Sequence, residues 1–158
     1  MKTISVKQPW ATLICSGIKD IENRTWKCPE KYIGQRVLIH ASGAKMNSLF
    51  NNLTKEQLEV THIKLGYEYD FDKTFVKSAI IGSVEIVDCV INHPSIWAEK
   101  TGETRVWANG TELFIPDKPI YNWVLANPIL FDKPILNVKG KLRFWDYELS
   151  DKHETILK

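Results

Sequence analysis

The sequence of 158 residues is poor in cysteine and contains no long hydrophobic run. Its three cysteines are Cys15, Cys28 and Cys89. An odd number at wide spacing argues against a disulfide framework and predicts free thiols in a reducing compartment. The longest apolar stretches, such as 79–81 and 124–126, are far shorter than the roughly 20 residues that cross a bilayer. We therefore expect no membrane partner.

A secretory leader and the common cofactor motifs are also absent from the sequence. Polar residues interrupt residues 1–8 before a signal-peptide core forms, so we expect a cytoplasmic protein. No GxGxxG, GxxxxGK[ST] or GxSxG pattern occurs, which removes the usual support for dinucleotide, P-loop and α/β-hydrolase chemistry. The four histidines are scattered singly, so we predict no metal site and no cofactor. His40 lies in a predicted buried strand and is interpreted as a core residue.

Charge is informative by region, because the total of 21 basic and 19 acidic side chains is nearly balanced. Residues 1–50 hold eight basic and three acidic side chains, whereas residues 51–103 hold five and nine. Further basic residues, Lys133, Lys139, Lys141 and Arg143, lie near the other end of the chain, with no acidic residue between Lys133 and Trp145. If the two ends meet in space they form a basic patch; otherwise these charges are solvated faces of surface strands.

Hydrophobic spacing predicts one short and one longer helix. Trp10, Leu13 and Ile14 follow helical periodicity between Pro9 and Gly17, residues that suit the first turn and the left-handed end of a helix. A capping box at residues 54–57 predicts a second helix that ends before Gly66. The predicted strands are 3–6, 18–26, 35–41, 78–91, 121–125 and 138–147.

The remaining segments are assigned from turn residues. Residues 67–73 alternate aromatic and acidic side chains, which fits an edge strand or an ordered loop. Residues 93–95 end the central strand and begin a short helix that carries Ile96 and Trp97. Asn109 and Gly110 predict a hairpin, and the proline-containing stretch 127–134 separates the last two strands. The elements predict an α+β fold with a small mixed sheet or barrel.

The densest group of functional side chains lies in residues 17–26, directly after the first helix. In an extended segment Asp20, Glu22, Arg24 and Trp26 share one face, and a bend after Gly17 brings Lys19 toward Glu22. The alternative is a surface strand whose charges pair with one another and contribute little to stability.

The pattern Gly17-x-Lys19-x-x-Glu22-x-Arg24 resembles the GxKxxExR signature of the activating-signal-cointegrator homology (ASCH) domains, in the PUA-like superfamily. Further segments resemble the same family: 5–11, 38–42, 121–125, 134–135 and 138–145. The resemblance implies a PUA-like mixed β-barrel of about six strands with two to three short flanking helices. It covers residues 1–45 and 76–147, and leaves an unmatched insert at about 46–75 within a single domain of residues 1–158.

The resemblance also implies a nucleic-acid-binding cleft beside the first helix. Short bacterial relatives deacylate acetylated cytidine with a lysine, a threonine three residues later and a downstream acid. Lys19 matches the lysine, but Glu22 stands at the threonine position, and either Glu85 or Glu99 is the candidate acid. The nucleophilic hydroxyl is therefore missing where that chemistry needs it.

Eight residues are predicted to bind the ligand. Lys7, Lys19 and Arg24 suit phosphate, and Gln8, Glu22 and Asn23 suit a base edge. Trp10 or Trp26 suits base stacking. Trp26 is the indole we place at the cleft, because Trp10 lies on the apolar face of its helix. The other tryptophans are predicted to be core or interface residues: Trp97, Trp107, Trp123 and Trp145.

The leading hypothesis from the sequence is binding of RNA or a modified nucleoside. The first alternative is a hydrolase acting on an acylated nucleoside, with Lys19 as base or electrostatic stabiliser and Glu22 as acid/base. The second is a protein-interaction module that uses the tryptophan-rich closing strands and the insert. The sequence leaves open whether the protein is an enzyme.

Overall fold

The computed structural model describes residues 1–150 and His153. Within them the α-helices are α1 (Trp10–Cys15), α2 (Lys55–Leu65) and α3 (Phe71–Thr74), and a 3₁₀ turn spans Glu30–Tyr32. The strands are β1 (Lys2–Val6), β2 (Ile21–Arg24), β3 (Gln35–Ala41), β4 (Ala79–Val90), β5 (Glu103–Ala108), β6 (Thr111–Pro116), β7 (Tyr121–Ile135) and β8 (Phe144–Asp146). Helices and a mixed sheet confirm the α+β class.

Six strands form one curled sheet in the order β2-β7-β4-β3-β1-β8. Strands β1 and β3 are parallel, and the other neighbours are antiparallel. Trp26, just after edge strand β2, lies 5.9 Å between ring centroids from Phe144 on the opposite edge strand β8. Both rings pack on Trp123 of β7, with centroids 4.7 and 5.4 Å away. The aromatic contact therefore draws the two edges together into the barrel-like shape.

Helix α1 packs on this sheet through side chains that the periodicity identified. Leu13 and Ile14 are buried, and the helix lies against β4 and β7. Gln8 fixes the start of the helix, because its Oε1 accepts from the Thr12 backbone N–H at 3.0 Å and its Nε2 donates to the Val76 carbonyl at 2.7 Å. The cleft residues that follow α1 are thus attached to the core.

Several predicted elements are confirmed. The central strand occupies β4, and the capping box is present because Thr54 and Gln57 satisfy each other's backbone N–H groups. The hairpin β5–β6 turns at Asn109 and Gly110, with φ angles of 50° and 76°. The short helix predicted around Ile96 is wrong, because that segment forms turns only.

Three further boundaries differ from the prediction for physical reasons. Residues 71–74 are helical because the Asp70 carboxylate accepts from the Lys73 backbone N–H at 3.1 Å and caps α3. β7 continues through 127–134, although this stretch contains Pro128 and Pro134. Both prolines fall where the register between β7 and β4 shifts, so neither position requires a backbone N–H to pair with β4. Only Phe144–Asp146 of the predicted last strand is extended, because Asn137 and Arg143 adopt positive φ.

The side-chain environments of the histidine, the cysteines and three of the four tryptophans match a core position or a free thiol. His40 is buried, with Nε2 2.8 Å from the Val138 carbonyl oxygen, and the three cysteines are free. Trp97, Trp123 and Trp145 are buried, whereas Trp107 is 72% exposed on β5. In the described part of the chain, none of the helices has both the length and the apolar character that a membrane crossing requires.

The close approach of α1 to β4 makes Gly82 a sensitive position. A Cβ added there would meet the Ile129 carbonyl oxygen and would lie 2.7 Å from Cys15 Sγ. We expect Gly82→Ala to lower the free energy of unfolding by about 1–3 kcal/mol through overpacking, measured by urea denaturation. Gly102→Ala is the matched control, since the nearest atom to its added Cβ is 3.4 Å away. Equal losses in both variants would contradict this packing.

Candidate functional site

The end of α1 directs Lys19 into the protein. Gly17 adopts a φ of 73°, the left-handed conformation typical of a residue that ends a helix. The backbone N–H groups of Ile18 and Lys19 both donate to the Leu13 carbonyl, at 2.9 and 3.0 Å. This tight turn places Lys19 between the helix and β2, which begins two residues later.

Lys19 is a buried cation, with 3% of its surface exposed. Its Nζ donates to the Ile21 carbonyl and lies 3.6 Å from Glu22 Oε2. Burial lowers the pKa of Lys19 from its ordinary value, and the Glu22 carboxylate opposes this shift. The ammonium is therefore held by one carbonyl and one carboxylate.

Glu22 connects Lys19 to Arg24. Its Oε1 lies 2.9 Å from Arg24 Nε, while Arg24 Nη2 donates to the Ser5 carbonyl of β1 at 2.8 Å. Arg24 also lies over the Trp123 ring, with Cζ 5.9 Å from the centroid. The ammonium, carboxylate and guanidinium groups predicted from the signature thus meet in one cluster.

This cluster forms one wall of a cleft of about 270 Å³ at the junction of β1, α1 and β2. The volume is slightly below the roughly 300–1,000 Å³ common among small-molecule pockets. The lining residues are Ser5, Val6, Lys7, Trp10, Lys19, Glu22, Asn23, Arg24 and Glu99. Six of the eight residues predicted from the sequence are among them, and three, Ser5, Val6 and Glu99, were not assigned to ligand binding.

Asn23, which the sequence suggested for contact with a base edge, lines the cleft and also makes three hydrogen bonds within the protein. Its Oδ1 accepts from the Glu99 backbone N–H at 3.0 Å and from Asn122 Nδ2 at 2.9 Å, and its Nδ2 donates to the Trp97 carbonyl at 2.9 Å. Asn23 therefore positions the loop that brings Glu99 to the cleft. Glu85, the other candidate acid, lies elsewhere and pairs with Arg36 at 3.0 Å.

Gln8 and Trp26 do not line the cleft. Gln8 is buried, and its side-chain amide donates hydrogen bonds to the Thr12 hydroxyl and the Val76 carbonyl. Trp26 was placed at the cleft by extending the alternation of β2, but that strand ends at Arg24 and the indole packs edge-on against Trp123. Trp10 is the indole at the cleft, where it is half-buried and also contacts the core.

The described residues offer no obvious metal site. Among residues 1–150 and His153, no three His, Cys, Asp or Glu side chains lie close enough together to hold an ion. The cleft instead presents three cations, Lys7, Lys19 and Arg24, and two carboxylates, Glu22 and Glu99. Its chemistry is that of ion pairing and hydrogen bonding beside an aromatic ring.

The sequence model of the ASCH domain matches residues 4–135, most of the chain. The protein belongs to the ASCH domain family. This ASCH domain is 31% identical over 88 residues to activating signal cointegrator 1 of Homo sapiens and 30% identical to that of Mus musculus. Each alignment covers 55% of this chain and 14% of the relative, so the chain spans only a small part of the length of these proteins.

Two solved structures are similar to this ASCH domain in outline. They are the ASCH protein of Zymomonas mobilis, with a TM-score of 0.49, and a serine-to-alanine mutant of that protein, with a TM-score of 0.48. Both are 14% identical to this chain, and each alignment covers 99% of this chain and 92% of the other.

The buried ammonium makes stability depend on pH. Because burial lowers the pKa of Lys19 below its ordinary 10.5, the unfolded chain binds more protons than the folded chain between the lowered pKa and 10.5. The free energy of unfolding of the wild type should therefore rise with pH through this window, relative to that of Lys19→Met. Urea denaturation of both proteins from about pH 7 upward measures the difference. A difference that does not change with pH would contradict the buried ammonium.

Proposed function

We propose that the cleft binds one nucleoside unit, either a base extruded from RNA or a modified nucleoside. The observation that carries this proposal is the cluster of buried Lys19 and Glu22 with partly exposed Arg24, on the wall of a cleft that also contains Trp10. A nucleotide offers a phosphate, an aromatic face and polar base edges, and these three features match the cation, indole and carboxylate of the cleft.

Each contact has a candidate partner in the cleft. Lys7 is exposed at its edge and suits a phosphate, as does the partly exposed guanidinium of Arg24. Trp10 suits stacking, a contact worth roughly 1–3 kcal/mol per base. Glu22 suits an exocyclic amine such as that of cytosine, since a carboxylate has about four acceptor sites and its two cationic neighbours leave some of them free.

The size of the cleft favours a single unpaired base. A volume of about 270 Å³ has no room for a base pair together with its stacked neighbours. Proteins that contact a base in such a pocket take it out of the stack, which costs least when the base is already single-stranded. The proposed ligand is therefore a free nucleoside or a nucleotide in an unpaired segment.

The first test replaces the guanidinium of Arg24. We expect Arg24→Gln to raise the Kd for a bound ribonucleoside 5′-monophosphate about tenfold or more, because a hydrogen bond to a charged group contributes about 1.5–3 kcal/mol. Isothermal titration calorimetry with the ribonucleoside 5′-monophosphates and N4-acetylcytidine measures this change.

Arg36→Gln is the matched control for that experiment. Arg36 pairs with Glu85 at 3.0 Å, outside the cleft, and its side chain is 22% exposed against 23% for Arg24. Its removal should leave the Kd unchanged. A wild-type protein that binds none of these probes, or equal losses in the two variants, would contradict the proposed function.

A second candidate function is hydrolysis of an acylated nucleoside. It is favoured by the lowered pKa of the buried Lys19, which suits proton transfer, and by two carboxylates in the same cleft. Water activated by Glu22 would add to the acyl carbon, and the departing amine would take a proton from Lys19. Acetate released from N4-acetylcytidine by the wild type but not by Glu22→Gln would support it; binding without release would support the binding function alone.

The third possibility, a protein-interaction surface on the closing strands, has less support. The tryptophans that suggested it, Trp123 and Trp145, are buried and contribute to the core. The large apolar side chains that remain exposed near this part of the sequence are Leu130, Leu136 and Leu142 in the closing segment, and on the β5–β6 hairpin residues such as Trp107 and Phe114.

A further inference from the structure

The two basic ends of the chain meet in space. Strand β1 pairs with β8, and Lys2 Nζ lies 2.8 Å from Asp146 Oδ2. Farther along β1, Ser5 Oγ donates to the Lys141 carbonyl at 3.1 Å. Residues 2–7 and 139–147 therefore lie next to each other. This is the condition under which the basic residues of the two ends form a patch.

We define the basic seam as Lys139, Lys141 and Arg143 together with Lys27 and Lys31, whose neighbours Trp26 and Tyr32 pack against Phe144 of β8. All five side chains are exposed, and the chain has no acidic residue from 133 to 145. Asp146, the acid next to this stretch, pairs with Lys2. In the described part of the chain, none of the five seam cations forms an ion pair with a carboxylate. Their charge remains available to an anionic partner.

Aromatic faces hold three of the seam cations in place. Arg143 lies over Trp26, 5.2 Å from the ring centroid, and Lys141 lies 5.8 Å from the centroid of Trp145. Lys31 lies 5.1 Å from the centroid of Tyr32. Such contacts attract the cation to the ring face while its N–H groups can still donate to a phosphate.

The basic seam is continuous with the cleft. Ser5 connects them, because its carbonyl accepts from Arg24 of the cleft and its hydroxyl donates to the backbone of Lys141 in the seam. Arg24 of the cleft and Lys141 of the seam therefore both contact the same residue, Ser5. Beneath the surface, the buried Trp123 ring lies 5.9 Å from Arg24 Cζ and packs edge-on against Trp26, the ring over which Arg143 lies.

We propose that the basic seam binds the sugar-phosphate backbone of single-stranded RNA whose extruded nucleotide occupies the cleft. This inference rests on the proposed function and identifies the partner as a strand, not a free nucleoside. Phosphates match the unpaired cations of the seam, and Leu142, 92% exposed between Lys141 and Arg143, offers an apolar contact to a ribose or base. An acidic peptide or an anionic membrane would also meet this charge, but neither would use the adjoining cleft.

The test removes three seam charges together, in the variant Lys139→Gln/Lys141→Gln/Arg143→Gln. The probe is a fluorescein-labelled oligouridine, and the readout is fluorescence anisotropy at several salt concentrations. Each phosphate contact contributes about 0.7 to the slope of log affinity against log salt for a single strand, so the slope should fall by about 2 in the variant. A fourfold rise in salt should then weaken wild-type binding about twentyfold more than it weakens variant binding.

The control variant is Lys55→Gln/Lys64→Gln/Lys118→Gln, which removes three exposed cations outside the seam and should retain the wild-type slope. An unchanged slope in the seam variant overturns the inference. So does equal wild-type affinity for a duplex of the same length, or seam-dependent binding to phosphatidylserine vesicles without any effect on oligouridine.

Nucleoside monophosphate binding, measured in parallel, separates this inference from the proposed function. The seam variant should retain wild-type affinity for the monophosphate, because it leaves the cleft residues intact. If the monophosphate binds but the salt slope does not change, the seam inference fails alone. If the slope falls but no monophosphate binds, the proposed function fails.

Discussion

The ion pair between buried Lys19 and Glu22 is the constraint on which the cleft depends. Removing an ammonium and a carboxylate from water costs several kcal/mol for each ion, and their attraction offsets that cost only with good geometry and further hydrogen bonds. Here the Ile21 carbonyl accepts a hydrogen bond from Lys19, and Arg24 adds a second ion pair to Glu22. The turn after α1 and the short strand β2 maintain this geometry, so the charged wall of the cleft is formed before any ligand arrives.

Local signals in the sequence were sufficient for two of the elements that local physics determines. The helix stop at Gly17 and the capping box of α2 depend on residues within one turn of each other, and both are present. The length of β7 could not be predicted in the same way. Pro128 and Pro134 normally interrupt a strand, and only the register shifts against β4, a partner distant in sequence, accommodate them.

The site residues show the same difference: some are placed by neighbouring residues in the sequence, and others by contacts with distant segments. Lys19, Glu22 and Arg24 lie within six residues, and the signature identified them together. Trp26 was misplaced because the alternation of β2 was extended past the end of the strand. Glu99 is held at the cleft by Asn23, which accepts from its backbone N–H, and by Asn122, which donates to its carbonyl; both contacts join segments far apart in the sequence. Short-range spacing carries no information about such contacts.

The pairing of charges suggests different contributions from the cleft and the basic seam to ligand binding. Inside the cleft Glu22 lies against both Lys19 and Arg24, which reduces the attraction of these cations for a distant phosphate. The seam cations have no such carboxylate among the described residues, so long-range attraction originates mainly there. Phosphate contacts determine position and much of the affinity, whereas contacts to a base determine selectivity. The buried cluster is therefore better suited to discriminate between ligands than to attract them.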